Sequence, residues 1–237
     1  MILLPAASPP PGSAAERLLG ALAARGHAVA AGPAAGGRAS LFVCPSPAQV
    51  VDDPADWLRP AVGGRADRLL VVTRLGTHPD AVAPRLRDCW RLEEAARAAA
   101  VPVLVLRPGP MLGPASPLWR HLAAGPRLPR GGAKLVNPVA EEDVVDTLVR
   151  ALDSRAAWEG WYEVAGPETW SLAELVDLAR GVGAVPGGPA GWEPPLAEIE
   201  EHLLAEAEPW RLHFGVTPRP LAERAGAWGA VAAGRRA

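Results

Sequence analysis

Short apolar runs alternate with amphipathic stretches along the first 110 residues, and the two periods predict strands alternating with helices. Met1 to Ala6 reads as a short buried strand. Ser13 to Arg25 reads as a helix, with Leu18, Leu19 and Leu22 on one face and Gly26 as its stop. Further strands are expected at Ala28 to Ala31, in "LFVC" (Leu41 to Cys44), in "RLLVVT" (Arg68 to Thr73) and in "VPVLVLRPG" (Val101 to Gly109). A long helix is expected over Pro84 to Ala100, whereas "SPAQVVDDPADWLRPAV" is helical in parts but broken by Pro54 and Pro60. Near-continuous apolar strands separated by helices predict a parallel sheet covered on both faces.

Beyond Gly109 the pattern loosens. "VAEEDVVDTLVRAL" predicts a helix whose first turn carries three acids, where the helix dipole favours them. "GWYEVAG" predicts a strand, and "SLAELVDLARGVG" a helix opened by the capping box of Ser171 and Glu174. "PPLAEIEEHLLAEAE" spaces Leu196, Ile199 and Leu203 as one helical face. The chain therefore divides into a core over 1–110, a C-terminal part over 111–228 that returns a helix and a strand to that core and adds a small annex, and a frayed tail over 229–237.

Composition narrows the function classes. A net charge of −2 without a basic block does not favour nucleic acid or anionic membrane as partners. No apolar run reaches the roughly 20 residues of a membrane span, and "MILLPAASPP" lacks the basic start and long apolar core of a signal peptide. Cys44 and Cys89 have no metal-like spacing and suit buried thiols in a reducing cytoplasm. The only lysine is Lys134 and the only tyrosine Tyr162. Nine tryptophans against two phenylalanines cluster in the second half. Each is weighted towards the core, with a protein partner, a homo-oligomer or a flat pocket for a small apolar ligand as the second reading.

"RLLVVTRLGTHPD", "EEAARAAAVPVLVLRPGPMLGP" and "NPVAEEDVVDTLVRAL" together resemble the extended and atypical short-chain dehydrogenase/reductases, the branch of NmrA-like proteins and sugar-nucleotide epimerases. "YEVAGPETWSLAELVDLA" and "FGVTPRPLAERAGAW" follow in the family's order, so the resemblance covers most of the chain. It implies a Rossmann-like, doubly wound parallel α/β sheet with a small mixed α/β annex. It also implies an NAD(P) cofactor and a Tyr-x-x-x-Lys pair on the helix before "LRPG", the tyrosine being acid or base.

The departures are systematic. On "PRLRDCWRLEEAARAA" the pair's positions hold Arg85 and Cys89, or in the other register Leu86 and Trp90, and Arg85 cannot replace a phenol as acid. Thr73 stands where the family has a serine. Eight residues, Pro33 to Ser40, are too few for the family's next strand and helix, so the sheet is expected to be short by one strand-helix unit. In the first turn Pro9, Gly12 and Ala15 fall at the family's glycine positions. Pro9, Pro10 and Pro11 remove donors there, and Ser13 with Glu16 forms a capping box that satisfies the helix end from within.

These departures disfavour NAD(P) and lead to a non-catalytic accessory, regulatory or structural partner protein. The alternative is an enzyme using the crevice without redox turnover, a cyclase, isomerase or dehydratase. A conventional NAD(P)-dependent reductase or epimerase ranks last. The candidate catalytic residues are Thr73, His78, Cys89 and Arg107. The candidate cofactor-binding residues are Gly12, Ser13, Cys44, Pro108 and Gly109, and no metal ligands are expected. Each has a plainer reading: His78 as a turn residue, Asp143 as a dipole acid, Arg107 as an anchor held by carbonyls or a carboxylate, and Glu198 with His202 as a solvated helix face.

Overall fold

The central strands are apolar on both sides, and each side meets its own helices. A computed structural model describes residues 1–3, 13–30, 39–44, 53, 56, 58, 66–186 and 199–234 of the chain. Strands β1 (Ile2–Leu3), β2 (Val29–Ala30), β3 (Ser40–Val43), β4 (Arg68–Val72), β5 (Val103–Pro108) and β9 (Trp161–Val164) form one parallel sheet in the order β2-β1-β3-β4-β5-β9. Registers such as Leu41↔Leu69, Val71↔Val105 and Leu106↔Tyr162 fix its alternation. On one face Phe42, Leu70, Val72, Leu104 and Leu106 pack with Leu18 and Leu22 of α1 (Ala14–Ala24), Val144 and Leu148 of α4 (Glu141–Leu152), and Trp210 of α6 (Glu208–Phe214). On the other, Leu41, Val43, Leu69, Val71 and Val105 pack with Leu92 and Ala96 of α2 (Pro84–Arg97).

This is the doubly wound arrangement. The order places a topological switch between β1 and β3, where such sheets bind ligands. Among the described residues β2 is the edge strand. It ends at Ala30 and β3 begins at Ser40, and the described residues place no further strand between them or beyond β2. Helix α1 starts where its sequence dictates: Ser13 Oγ accepts the Glu16 N–H at 3.1 Å, and Gly26 at φ +88° follows the last turn.

The annex is built from α3 (Pro117–Ala124), the pairs β6 (Met111–Leu112) with β8 (Val139–Ala140) and β7 (Leu135–Val136) with β10 (Trp170–Ser171), α5 (Leu172–Gly181) and α7 (Leu221–Gly234). Its core holds Trp119 against Trp228 edge-on at 5.4 Å, with Leu122, Leu172 and Leu175 around them. Ser171 and Glu174 form the expected reciprocal capping box. Helix α7 is tied to α4 by Arg224, which donates to Asp143 and Glu142. The tail boundary read at residue 229 falls inside α7.

The helix expected over "PPLAEIEEHLLAEAE" does not form in its described portion. Leu203 instead bridges to β7: its N–H donates to Leu135 O and its carbonyl accepts from Asn137 N–H, both at 2.9 Å. Ile199 and Leu203 are buried, as a helical face would require. An open strand edge with unmet donors and acceptors captures the segment more effectively than a helix of its own would. His202 follows from this, since its Nδ1 accepts the Leu135 N–H at 3.0 Å; Glu198 lies outside the described residues.

Candidate functional site

At the carboxyl ends of β3, β4 and β5 the described residues leave a small open crevice of about 80 Å3. The turns after the strands supply Cys44, Thr73, Arg74, Leu75 and Pro108 to Met111; α1 supplies Ala14 and Arg17, and the bridging segment supplies Ile199 and Leu203. Backbone crowding shapes the wall: a Cβ at Gly109 would lie 2.0 Å from the Asn137 carbonyl oxygen, so only glycine fits. Arg17 is held by Glu141 at 2.6 Å. Burial lifts the Glu141 carboxyl above its ordinary range, outweighing the attraction of Arg17.

Thr73, at the end of β4, is buried, and its hydroxyl donates to Glu93 Oε1 at 2.6 Å. Glu93 is 0% exposed. Arg107 on β5 reaches it through Nη2 at 2.5 Å and Nε at 3.0 Å, and Arg97 through Nη2 at 3.1 Å. The anchoring reading of Arg107 thus has its carboxylate. Sequence reasoning missed Glu93, although a signal was present. Leu86, Cys89, Glu93 and Ala96 are spaced as one helical stripe, so an acid interrupts the buried face and requires a buried partner.

The other candidates divide between places. Cys44, Pro108 and Gly109 line the crevice with Thr73. Ser13 is buried and occupied as the α1 cap, and Gly12, with Pro9 to Pro11, lies outside the described residues. Cys89 is buried on the sheet-facing side of α2 and does not line the crevice. His78 is not at the crevice either. Its exposed ring lies 6.1 Å from that of Trp90 and its Nδ1 accepts the Asp80 N–H, in a separate cleft outside α2 that Arg107 also lines. Thr73, His78, Cys89 and Arg107 therefore do not converge on one pocket. Asp143 is more than a dipole acid: it is buried against Arg224, and burial raises its carboxyl above the ordinary range.

Among the described tryptophans, Trp119, Trp210 and Trp228 are buried, and Trp210 Nε1 donates to Thr147 at 3.0 Å; Trp90, Trp158 and Trp170 are half-buried and Trp161 is exposed, while Trp57 and Trp192 lie outside the described residues.

No family model and no curated protein sequence matches the chain. Solved structures do match over its whole length. MoeE5 in complex with UDP-glucuronic acid and NAD aligns with 98% of this chain and 99% of its own at 16% identity, with a TM-score of 0.70. The UDP-glucose 4-epimerase of Thermotoga maritima, solved with UDP-glucose, aligns with 100% and 99% at 13% identity and a TM-score of 0.65. WbmG of Bordetella bronchiseptica, in complex with NAD and UDP, aligns with 97% and 94% at 16% identity and a TM-score of 0.64. The chain shares the Rossmann-like α/β fold of these structures. By the resemblance, the Tyr-x-x-x-Lys register lies on α2, at Arg85 and Cys89 or at Leu86 and Trp90. Among the described residues no helix is long and apolar enough to cross a membrane.

Proposed function

We propose that this protein is a non-catalytic accessory, regulatory or structural partner built on the extended short-chain fold. The observation that carries this reading is the state of Thr73. The hydroxyl that stands where the family has its serine is spent on Glu93, and that carboxylate is shared with Arg107 and Arg97. No phenol stands beside it, because the only tyrosine, Tyr162, is on β9. The residues present also do not fit a dinucleotide held as the family holds it. Ser13 takes the Glu16 N–H at the helix start where a phosphate oxygen would be received, and Arg17 is committed to Glu141. Two cysteines outside any disulfide support a cytoplasmic setting.

Titration calorimetry with NAD(H) and NADP(H) tests the reading: no binding at micromolar concentration is expected, and micromolar affinity for either overturns it. One observation favours a second reading. The crevice is open and largely apolar, which suits a small apolar ligand handled without redox turnover by a cyclase, isomerase or dehydratase. Native mass spectrometry of the purified protein separates the two, because a co-purifying small molecule whose conversion is lost in Thr73→Ala supports the second.

A further inference from the structure

A second cleft lies across α2 from the crevice, between that helix and the sheet edge at β9. Its distinguishing residue is Trp161, 49% exposed on the edge strand. The inner face of this indole is already covered by the Arg107 guanidinium, 4.4 Å from the ring centroid. Arg107 is itself fixed by the buried Glu93, so Trp161 rests on a rigid support and presents its other side outward. Trp90 lines the same cleft.

The charge facing the cleft is acidic. Asp80, Glu163 and Glu201 line it, and Glu163 lies two residues from Trp161, on the same side of β9. Among the described residues neither Glu163 nor Glu201 has an ion-pair partner, although Glu163 Oε2 accepts the Glu206 N–H at 2.7 Å and so leaves Oε1 for a ligand, and Asp80 has only His78, at 3.9 Å. The two arginines that line the cleft, Arg97 and Arg107, are matched by Glu93 and Glu94.

We propose that this cleft is a docking site for an arginine side chain of a partner protein, its guanidinium stacked on the outer face of Trp161 and hydrogen-bonded to Glu163 and Glu201. A guanidinium is favoured over an ammonium for two reasons. It is planar and weakly hydrated, so it stacks on an indole as Arg107 already does from behind. It also presents paired donors to carboxylates. The proposal is independent of whether the crevice binds or converts anything, and dinucleotide calorimetry does not bear on it.

The test is a titration of the full chain followed by the indole N–H resonances, with that of Trp161 assigned from Trp161→Phe. The probe is a short acetylated peptide with adjacent arginines, and its control is the same peptide with citrulline in their place. The Trp161 resonance is expected to move with saturation at about millimolar peptide and to stay in place with citrulline. The double variant Glu163→Gln, Glu201→Gln, which leaves the core untouched, is expected to weaken binding by about tenfold. An unmoved resonance at about 10 mM peptide or an equal response to citrulline overturns the proposal. So does movement with glucose but not with the peptide, which would make the cleft a sugar site. A dimer in sedimentation velocity that Trp161→Ala dissolves likewise overturns it, because a second copy would then be the occupant.

Discussion

Replacing Glu93 by glutamine preserves shape and removes one charge from the most enclosed polar cluster on the sheet. In the native protein the carboxylate is 0% exposed and accepts hydrogen bonds from Thr73, Arg107 and Arg97. After the change, the Arg107 guanidinium, with 8% of its side chain exposed, is left without a countercharge. Breaking one partner of a buried pair costs about 3–5 kcal/mol. The Arg97 contact adds about 0.5 kcal/mol at most, since that side chain is 35% exposed and screened by water. At about 2–4 °C per kcal/mol for a chain of this length, the melting temperature should fall by roughly 10 °C.

Urea denaturation monitored by tryptophan fluorescence measures the cost directly. The stronger check is a double-mutant cycle. Glu93→Leu with Arg107→Met replaces both charges by apolar groups and should recover most of the loss, because no uncompensated charge remains. The coupling energy should exceed about 2 kcal/mol. If Glu93→Gln unfolds within about 0.5 kcal/mol of the native chain, or the single changes simply add, the cluster does not hold the structure as argued.

Arg224→Ala removes the buried partner of Asp143 and one tie between α7 and α4, and should cost about 3 kcal/mol in urea denaturation. Gly109→Ala should destabilise by about 3 kcal/mol, because its Cβ meets the Asn137 carbonyl at 2.0 Å and backbone must move. Gly20→Ala, in α1 with open space around it, should instead stabilise by about 0.5–1 kcal/mol in the same assay. The Glu141 carboxyl is raised by burial from an ordinary value of 4.5, so the folded state holds its proton more tightly than the unfolded chain does. Its contribution to stability is therefore greatest at low pH and is lost as pH rises above that value. Glu141→Gln should flatten this decline in a pH series of urea midpoints, and an unchanged slope would count against it.

The fold was legible because each sheet strand is a short apolar run with its own flanking signals. Leu69 to Val72 faces alternately towards α1 and towards α2, and both sides are buried, as a continuous run requires. The short link between β2 and β3 could be read from chain length, since Ala30 and Ser40 leave too few residues for another strand and helix between them. What could not be read was which alternative a segment would choose when two satisfy the same residues. Ile199 and Leu203 suit a helical face and a strand edge equally well, and the choice was made by backbone donors and acceptors of β7 more than sixty residues away in sequence. The site divides in the same way. Thr73, Cys44, Pro108 and Gly109 follow from topology, because turns after parallel strands meet at the switch point. His78 follows a strand too, yet its loop runs outward over α2, which sequence order does not encode.

Glu93 connects these observations. Its carboxylate engages the Thr73 proton at 2.6 Å, the contact on which the proposed non-catalytic reading rests. Holding that carboxylate required a buried cation, and Arg107 supplies it from the adjacent strand. The same guanidinium emerges beneath Trp161 on the opposite side of α2. One polar cluster therefore reaches the crevice at Thr73 and supports the aromatic platform of the outer cleft through Arg107. Glu93→Gln should loosen both ends, freeing the Thr73 hydroxyl and moving the Trp161 indole resonance, whereas Glu163→Gln should move the indole alone. If Glu93→Gln leaves Trp161 in place, the platform stands without Arg107 and the two sites are independent.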